Sequence, residues 1–252
     1  MLRLLRVAAL GFALALVPTS VAMADDAAPA ASSTVSESLM TGLAAHAQKI
    51  EDMKHRGAFT FNGRVEQVDD DGKASDVKEM TMRSTPTGAP RDRIVKVMKY
   101  LEDGKDKTAE AQQKADARRA KHKIAKNEKL GNDLKLPFLA GEQSRYIFSV
   151  AQRDKNDPTR LLINFNPKTP AEDAIKGTAW VDETSKEVLS MGFALSKNPT
   201  FIDHVNITMV FGLTTPLGRA PSTISFDGKG GFLFIKKHYR GAGTITDPTI
   251  AF

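Results

Sequence analysis

The segment Gly177-Thr178-Ala179-Trp180-Val181-Asp182-Glu183-Thr184-Ser185-Lys186-Glu187-Val188-Leu189-Ser190-Met191 reads as a strand, a polar turn and a second strand. Along the second strand Leu189, Met191, Phe193 and Leu195 alternate with Val188, Ser190, Gly192, Ala194 and Ser196. A period of two puts successive side chains on opposite faces, so this is a β-strand with one large apolar face. Two more alternating runs follow, Val205, Ile207, Met209 and Phe211, then Phe232 and Phe234.

The same pattern extends outward in both directions. Leu161, Ile163 and Phe165 alternate, as do Tyr146, Phe148 and Val150, with Asn156-Asp157-Pro158 as the turn between them. Residues 94–101 are β-rich on both faces and read as a central strand. Phe59, Phe61 and Val65 alternate with Thr60, Asn62 and Arg64, and Asp69-Asp70-Asp71-Gly72 turns the chain into a returning strand over 77–83. Ahead of them Leu39, Leu43, Ala47 and Ile50 recur at helical spacing, with Thr34 or Ser36 as cap and Gly57 as the stop. Pro137-Phe138-Leu139-Ala140-Gly141 reads as a loop presenting apolar side chains. Asp227-Gly228-Lys229-Gly230-Gly231 reads as a hairpin turn before a strand over 232–239, and 241–252 as a loose tail. Roughly ten antiparallel strands cannot stay flat, because twist curls them. The predicted class is mainly β (α+β): a strongly curved antiparallel sheet or unclosed β-barrel with an N-terminal packing helix and an inserted charged helix.

The N-terminus has the three parts of a secretory signal in order: Arg3 and Arg6, an apolar run over 7–17, and Ala22-Met23-Ala24 as cleavage site. That run is shorter than the ~20 residues a bilayer span needs. Residues 1–24 are therefore expected as a signal peptide, 25–33 as a flexible leader and 34–240 as one domain. Cys is absent, which excludes a disulfide framework and a Cys-linked lipid anchor. The expectation is a soluble exported protein, in the periplasm of a Gram-negative cell.

The formal charge of +6 loses two with Arg3 and Arg6. The excess is local: Lys107, Lys114, Arg118, Arg119, Lys121, Lys123, Lys126 and Lys129 outnumber Glu110, Asp116 and Glu128. Over 108–130 the Ala/Gln/Lys/Arg composition predicts a solvent-facing inserted helix. Its basic residues have three readings: a solvated face, contact with anionic lipid headgroups through Arg118, Arg119, Lys121 and Lys123, worth about 1 kcal/mol per residue near such a surface, and nucleic-acid binding. Export and the lack of aromatic residues among the charges argue against the last, and no nucleic-acid partner is expected.

Two stretches carry a family resemblance: Gly57-Ala58-Phe59-Thr60-Phe61-Asn62-Gly63-Arg64-Val65, and Gly177-Thr178-Ala179-Trp180-Val181-Asp182 with the hairpin after it. With the order of helix, hairpins and final aromatic strand, the chain from about Gly57 to Arg240 resembles the LolA/LolB-like superfamily of bacterial lipoprotein-sorting and envelope-sensor proteins. The resemblance implies an unclosed antiparallel barrel covered by helices, and an apolar cavity for acyl chains or a hydrophobic partner. The charged insert departs from the family's short carriers.

The chemistry-bearing residues form no catalytic or metal motif. His46, His55, His122, His204 and His238 make no His-Glu-x-x-His and read mostly as surface residues. His204 beside Asp203 resembles half a triad, without a Gly-x-Ser-x-Gly nucleophile elbow. Asp69-Asp70-Asp71-Gly72 lacks the alternation of a calcium loop. No cofactor, metal or enzymatic activity is expected. The apolar strand residues Phe59, Phe61, Trp180, Leu189, Met191, Phe193 and Phe211 have two readings, ordinary core or the lining of a ligand-binding face. The expected function is a non-catalytic periplasmic carrier of an acyl or lipid-like ligand or a lipidated protein; the alternative is an envelope module binding another protein.

Overall fold

The computed structural model describes residues 34–88, 92–124, 134–232 and 235–251. The signal and leader readings and the distal part of the inserted helix lie outside these residues. Among the described residues no helix is long and apolar enough to cross a membrane.

The Ser36 hydroxyl accepts the Leu39 N–H and caps α1 (Glu37–Arg56). The helical spacing noted above becomes a buried stripe of Leu39, Leu43, Ala47, Ile50 and Met53. Gly57 ends α1 and opens β1 (Gly57–Val68) with no intervening loop. A side chain there would collide with the Met53 carbonyl oxygen. Then follow β2 (Ala74–Pro86), β3 (Arg93–Glu102), β4 (Lys105–Asp106), α2 (Thr108–Ile124) and the single turn α3 (Ala140–Gln143). The second half is β5 (Tyr146–Arg153), β6 (Arg160–Pro167), β7 (Ile175–Asp182), β8 (Glu187–Leu195), β9 (Ile202–Val210), the short pair β10 (Leu213–Thr215) and β11 (Gly218–Ala220), β12 (Thr223–Phe232) and β13 (Ile235–Ile250).

Eleven strands form one antiparallel sheet in the order β4-β3-β2-β1-β13-β12-β9-β8-β7-β6-β5. Its ends do not pair with each other, so the fold is the expected curved, unclosed barrel. One wing is β1–β4. The other is β5–β9 with β12, and β13 joins the two.

Four local expectations are corrected. Residues 241–250, expected as a loose tail, form most of β13 and pair with β1 from Val65↔Gly241 to Gly57↔Ile250. Asp247, at φ 51°, and Pro248 sit in the bulge between the Ala58 and Thr60 registers, where a missing N–H is tolerated. Asp227–Gly231, expected as a hairpin turn, lies within β12 and pairs on both sides. Its glycines permit close backbone approach: a side chain on Gly230 would run into the Phe201 carbonyl. Residues 94–101, expected as a central strand, lie beside an edge with Ile94 and Met98 about half exposed. Pro137–Gly141, expected as an exposed loop, instead buries Pro137 and Phe138 completely. The Phe138 ring stacks on Phe148 at 5.4 Å and meets Phe165 edge-on at 5.9 Å, and Gln143 ties this segment to the Met40 carbonyl of α1.

The core lies between α1 and the β6–β8 region, around Leu39, Leu43, Ile163, Phe165, Val181 and Met191. At the β7–β8 turn the Asp182 carboxylate accepts the Thr184 and Ser185 N–H groups, and Lys186 takes φ 57°. The Lys186 stem then crosses Gly42 of α1, and its amine reaches Ser38.

Candidate functional site

Register orders the inner face of the sheet into rows. One row runs Val150, Ile163, Ala179 and Met191 on β5–β8, then Met209, Ile224, Gly243 and Gly63 on β9, β12, β13 and β1. The next runs Phe148, Phe165, Gly177 and Phe193, then Ile207, Phe226, Gly241 and Val65. Burial changes along each row. Ile163, Phe165, Ala179 and Met191 are sealed under α1, whereas Phe193, Ile207, Met209, Ile224, Phe226 and Val65 are half-buried. Apolar surface thus continues past the helix, over strands where glycines leave little side-chain bulk.

The seven apolar candidates divide accordingly. Met191 and Phe211 are each 1% exposed and belong to the core; Phe211 meets the His46 ring edge-on at 6.2 Å. Phe61 is buried with its ring over Gly243, where a side chain would collide with it. Phe59 is half-buried, with the Arg93 guanidinium 5.0 Å above its ring. Phe193 lies on the inner face in the half-buried series. Trp180 does not: Ala179 and Val181 on either side of it point into the core, so its side chain takes the opposite face. Leu189 is displaced by a bulge between Trp180 and Val181, which gives the buried position to Val188.

The open hollow expected between helix and sheet is filled on the α1 side by Phe138, Phe165 and Phe211. A cleft of about 310 Å³ lies at the start of α1, between Val35, Leu39, Val150 and Leu161, and none of the seven candidates lines it.

The inserted helix has a defined place. The Gln112 side chain accepts the Val97 N–H at 2.7 Å and donates to the Val95 carbonyl at 3.1 Å, while Thr108 Oγ1 accepts the Tyr100 N–H. The helix therefore satisfies outward backbone groups of β3 as well as facing solvent. Of the four basic candidates, Arg118 is exposed, and Arg119 holds Asp92 through two hydrogen bonds of 2.9 and 3.0 Å. The side chains of Lys121 and Lys123 lie outside the described residues.

The outer face of β1, β12 and β13 is polar. Glu66 lies between Arg64 and Arg240; burial pushes its carboxyl up, but the hydrogen bonds from Arg240 and Arg64 hold it below the usual range. The half-triad does not form, because Asp203 pairs with Lys236. His204 turns instead to Asp227, Nε2 to Oδ1 at 2.6 Å, and His238 reaches the other carboxylate oxygen at 2.7 Å. Burial pushes Asp227 up and these two contacts more than offset it, leaving it below its ordinary value. Nothing in the local sequence links His204, Asp227 and His238. Strand register brings them together, and the reading of 227–231 as a turn concealed it.

No family model and no curated protein matches the chain. Among solved structures the likenesses are distant. The chain is similar to a LolA superfamily protein of Nitrosomonas europaea, at 9% identity over 84% of this chain and 93% of that one, with TM-score 0.38. It is similar to a Vibrio parahaemolyticus domain named as an outer membrane lipoprotein-sorting candidate, at 11% identity over 82% and 93%, with TM-score 0.34. It is also similar to a chain of the Pseudomonas aeruginosa MucA/MucB complex, at 12% identity over 83% and 94%, with TM-score 0.26.

Proposed function

We propose that this is an exported, non-catalytic binding or carrier protein that takes an acyl or lipid-like ligand on the inner face of β9, β12, β13 and β1. One observation supports the reading: the rows stay apolar and half-buried past the edge of α1, through Ile207, Phe226, Ile224 and Val65. Glycines at 63 and 241 in the same rows leave depth for a slender chain, while the Phe61 ring fills the space over Gly243. Arg118, with Lys121 and Lys123, would meet anionic headgroups while Asp92 holds Arg119 and anchors the helix.

Native mass spectrometry after detergent-free purification, with titration of a fluorescent fatty acid, tests this. The expected result is a bound acyl species or saturable uptake, lost in Ile207→Asp with far-UV circular dichroism unchanged. A ligand-free chain that takes up no fatty acid overturns it.

A second reading rests on the β5 edge, where Ile147 is 60% exposed. There an extended segment of a partner protein would add a strand. Capture of a partner that Ile147→Lys abolishes, with no lipid uptake, would select it.

A further inference from the structure

We propose that His204, Asp227 and His238 form a binding site for one divalent transition-metal ion of the zinc or copper class, independent of the apolar face. The three side chains stand on the same face of adjacent strands β9, β12 and β13, and their donor atoms all lie within 4.8 Å of one another. Lys229 is the direct partner of both His204 and His238, with Asp227 two residues earlier. Each imidazole therefore leans diagonally along its strand toward the one carboxylate. Two imidazole nitrogens and a carboxylate oxygen suit zinc and copper; calcium and magnesium prefer oxygen ligands.

The surrounding charges permit a cation. Lys229 turns to Asp70 at 3.6 Å, Arg240 to Glu66, and Lys236 to Asp203 at 3.3 Å. Each of these three cations thus has a carboxylate partner other than Asp227, and Asp227 is held by the two histidines. The site is only partly covered, with side-chain exposures of 39%, 42% and 27% for His204, Asp227 and His238, so water can complete the coordination. To ligate, each imidazole must present a bare Nε2: its proton moves to Nδ1 or leaves to solvent, and the ion takes the place of the two hydrogen bonds to Asp227.

Titration of the full chain with Zn²⁺ and with Cu²⁺, followed by calorimetry and thermal scans, tests the site. The expected result is one ion per chain and a raised Tm. Affinity should drop at least about tenfold in Asp227→Asn and in the double variant His204→Asn/His238→Asn. His55→Asn, an exposed position on α1, should bind as the parent does. Cu²⁺ electron paramagnetic resonance of the parent chain should show two coupled imidazole nitrogens, a readout that needs no variant to fold. No uptake, equal uptake by the folded double variant, or fewer than two coupled nitrogens overturns the proposal and leaves a hydrogen-bonded His–Asp–His strap.

Discussion

His46 is 3% exposed and latches α1 to two separate elements. Its Nδ1 accepts the Val188 N–H at 3.0 Å, so the ring proton sits on Nε2, which donates to the Arg219 carbonyl at 3.0 Å. Burial is the largest influence on this imidazole and holds its pKa below the ordinary 6.5. The folded chain thus keeps the ring neutral while the unfolded chain protonates it near pH 6.5. This contribution to stability is complete above about pH 6.5 and is lost as pH falls from there toward the depressed folded value. Thermal scans should show a Tm that is level above about pH 7 and drops below about 6.5, ahead of carboxylate titration, and His46→Gln should remove that step. His46→Ala leaves a buried N–H and a buried carbonyl without partners and should cost about 3 kcal/mol by denaturant unfolding. The sequence places His46 beside the Leu43–Ala47–Ile50 stripe, which says that it is near the core. Its two hydrogen-bond partners lie 142 and 173 residues away, so its burial is not legible in the sequence.

Periodicity, which depends on neighbours in the chain, located α1 and most of the strands. It failed where tertiary contacts change local geometry. The bulge beside Trp180 turns Leu189 out of the face that strict alternation assigns to it, and Pro137–Gly141 has turn composition but supplies a core phenylalanine. The inserted helix shows the same limit. Its composition reveals that it is helical and charged, not that Gln112 bonds to both Val95 and Val97. A long strand edge left open invites pairing with another chain. Gln112→Ala should therefore cost about 1 kcal/mol and raise concentration-dependent association in light scattering, whereas Gln113→Ala on the exposed side should do neither.

For the molecule as a whole, the sheet class follows from strand count and twist, but strand order does not, because pairs such as Val65 and Gly241 are set by register between distant segments. The continuity of the apolar rows depends on this order, since β13 places Gly241 and Gly243 between β12 and β1. A chain shortened to residue 240 removes the partners of residues 57–65 on one side and of 223–226 on the other. It should lose cooperative unfolding in calorimetry and bind a hydrophobic dye. A sharp transition at the parental Tm would contradict this account of the sheet.

Among the described residues every other strand precedes β13, and β13 joins the two wings by strand pairing. Until this keystone emerges, β1 and β12 each keep a naked margin, and the nascent polypeptide cannot lock shut. Closure of the sheet therefore waits on residues 235–250, and a prematurely terminated chain presents two bare strand margins to any neighbour able to pair with them.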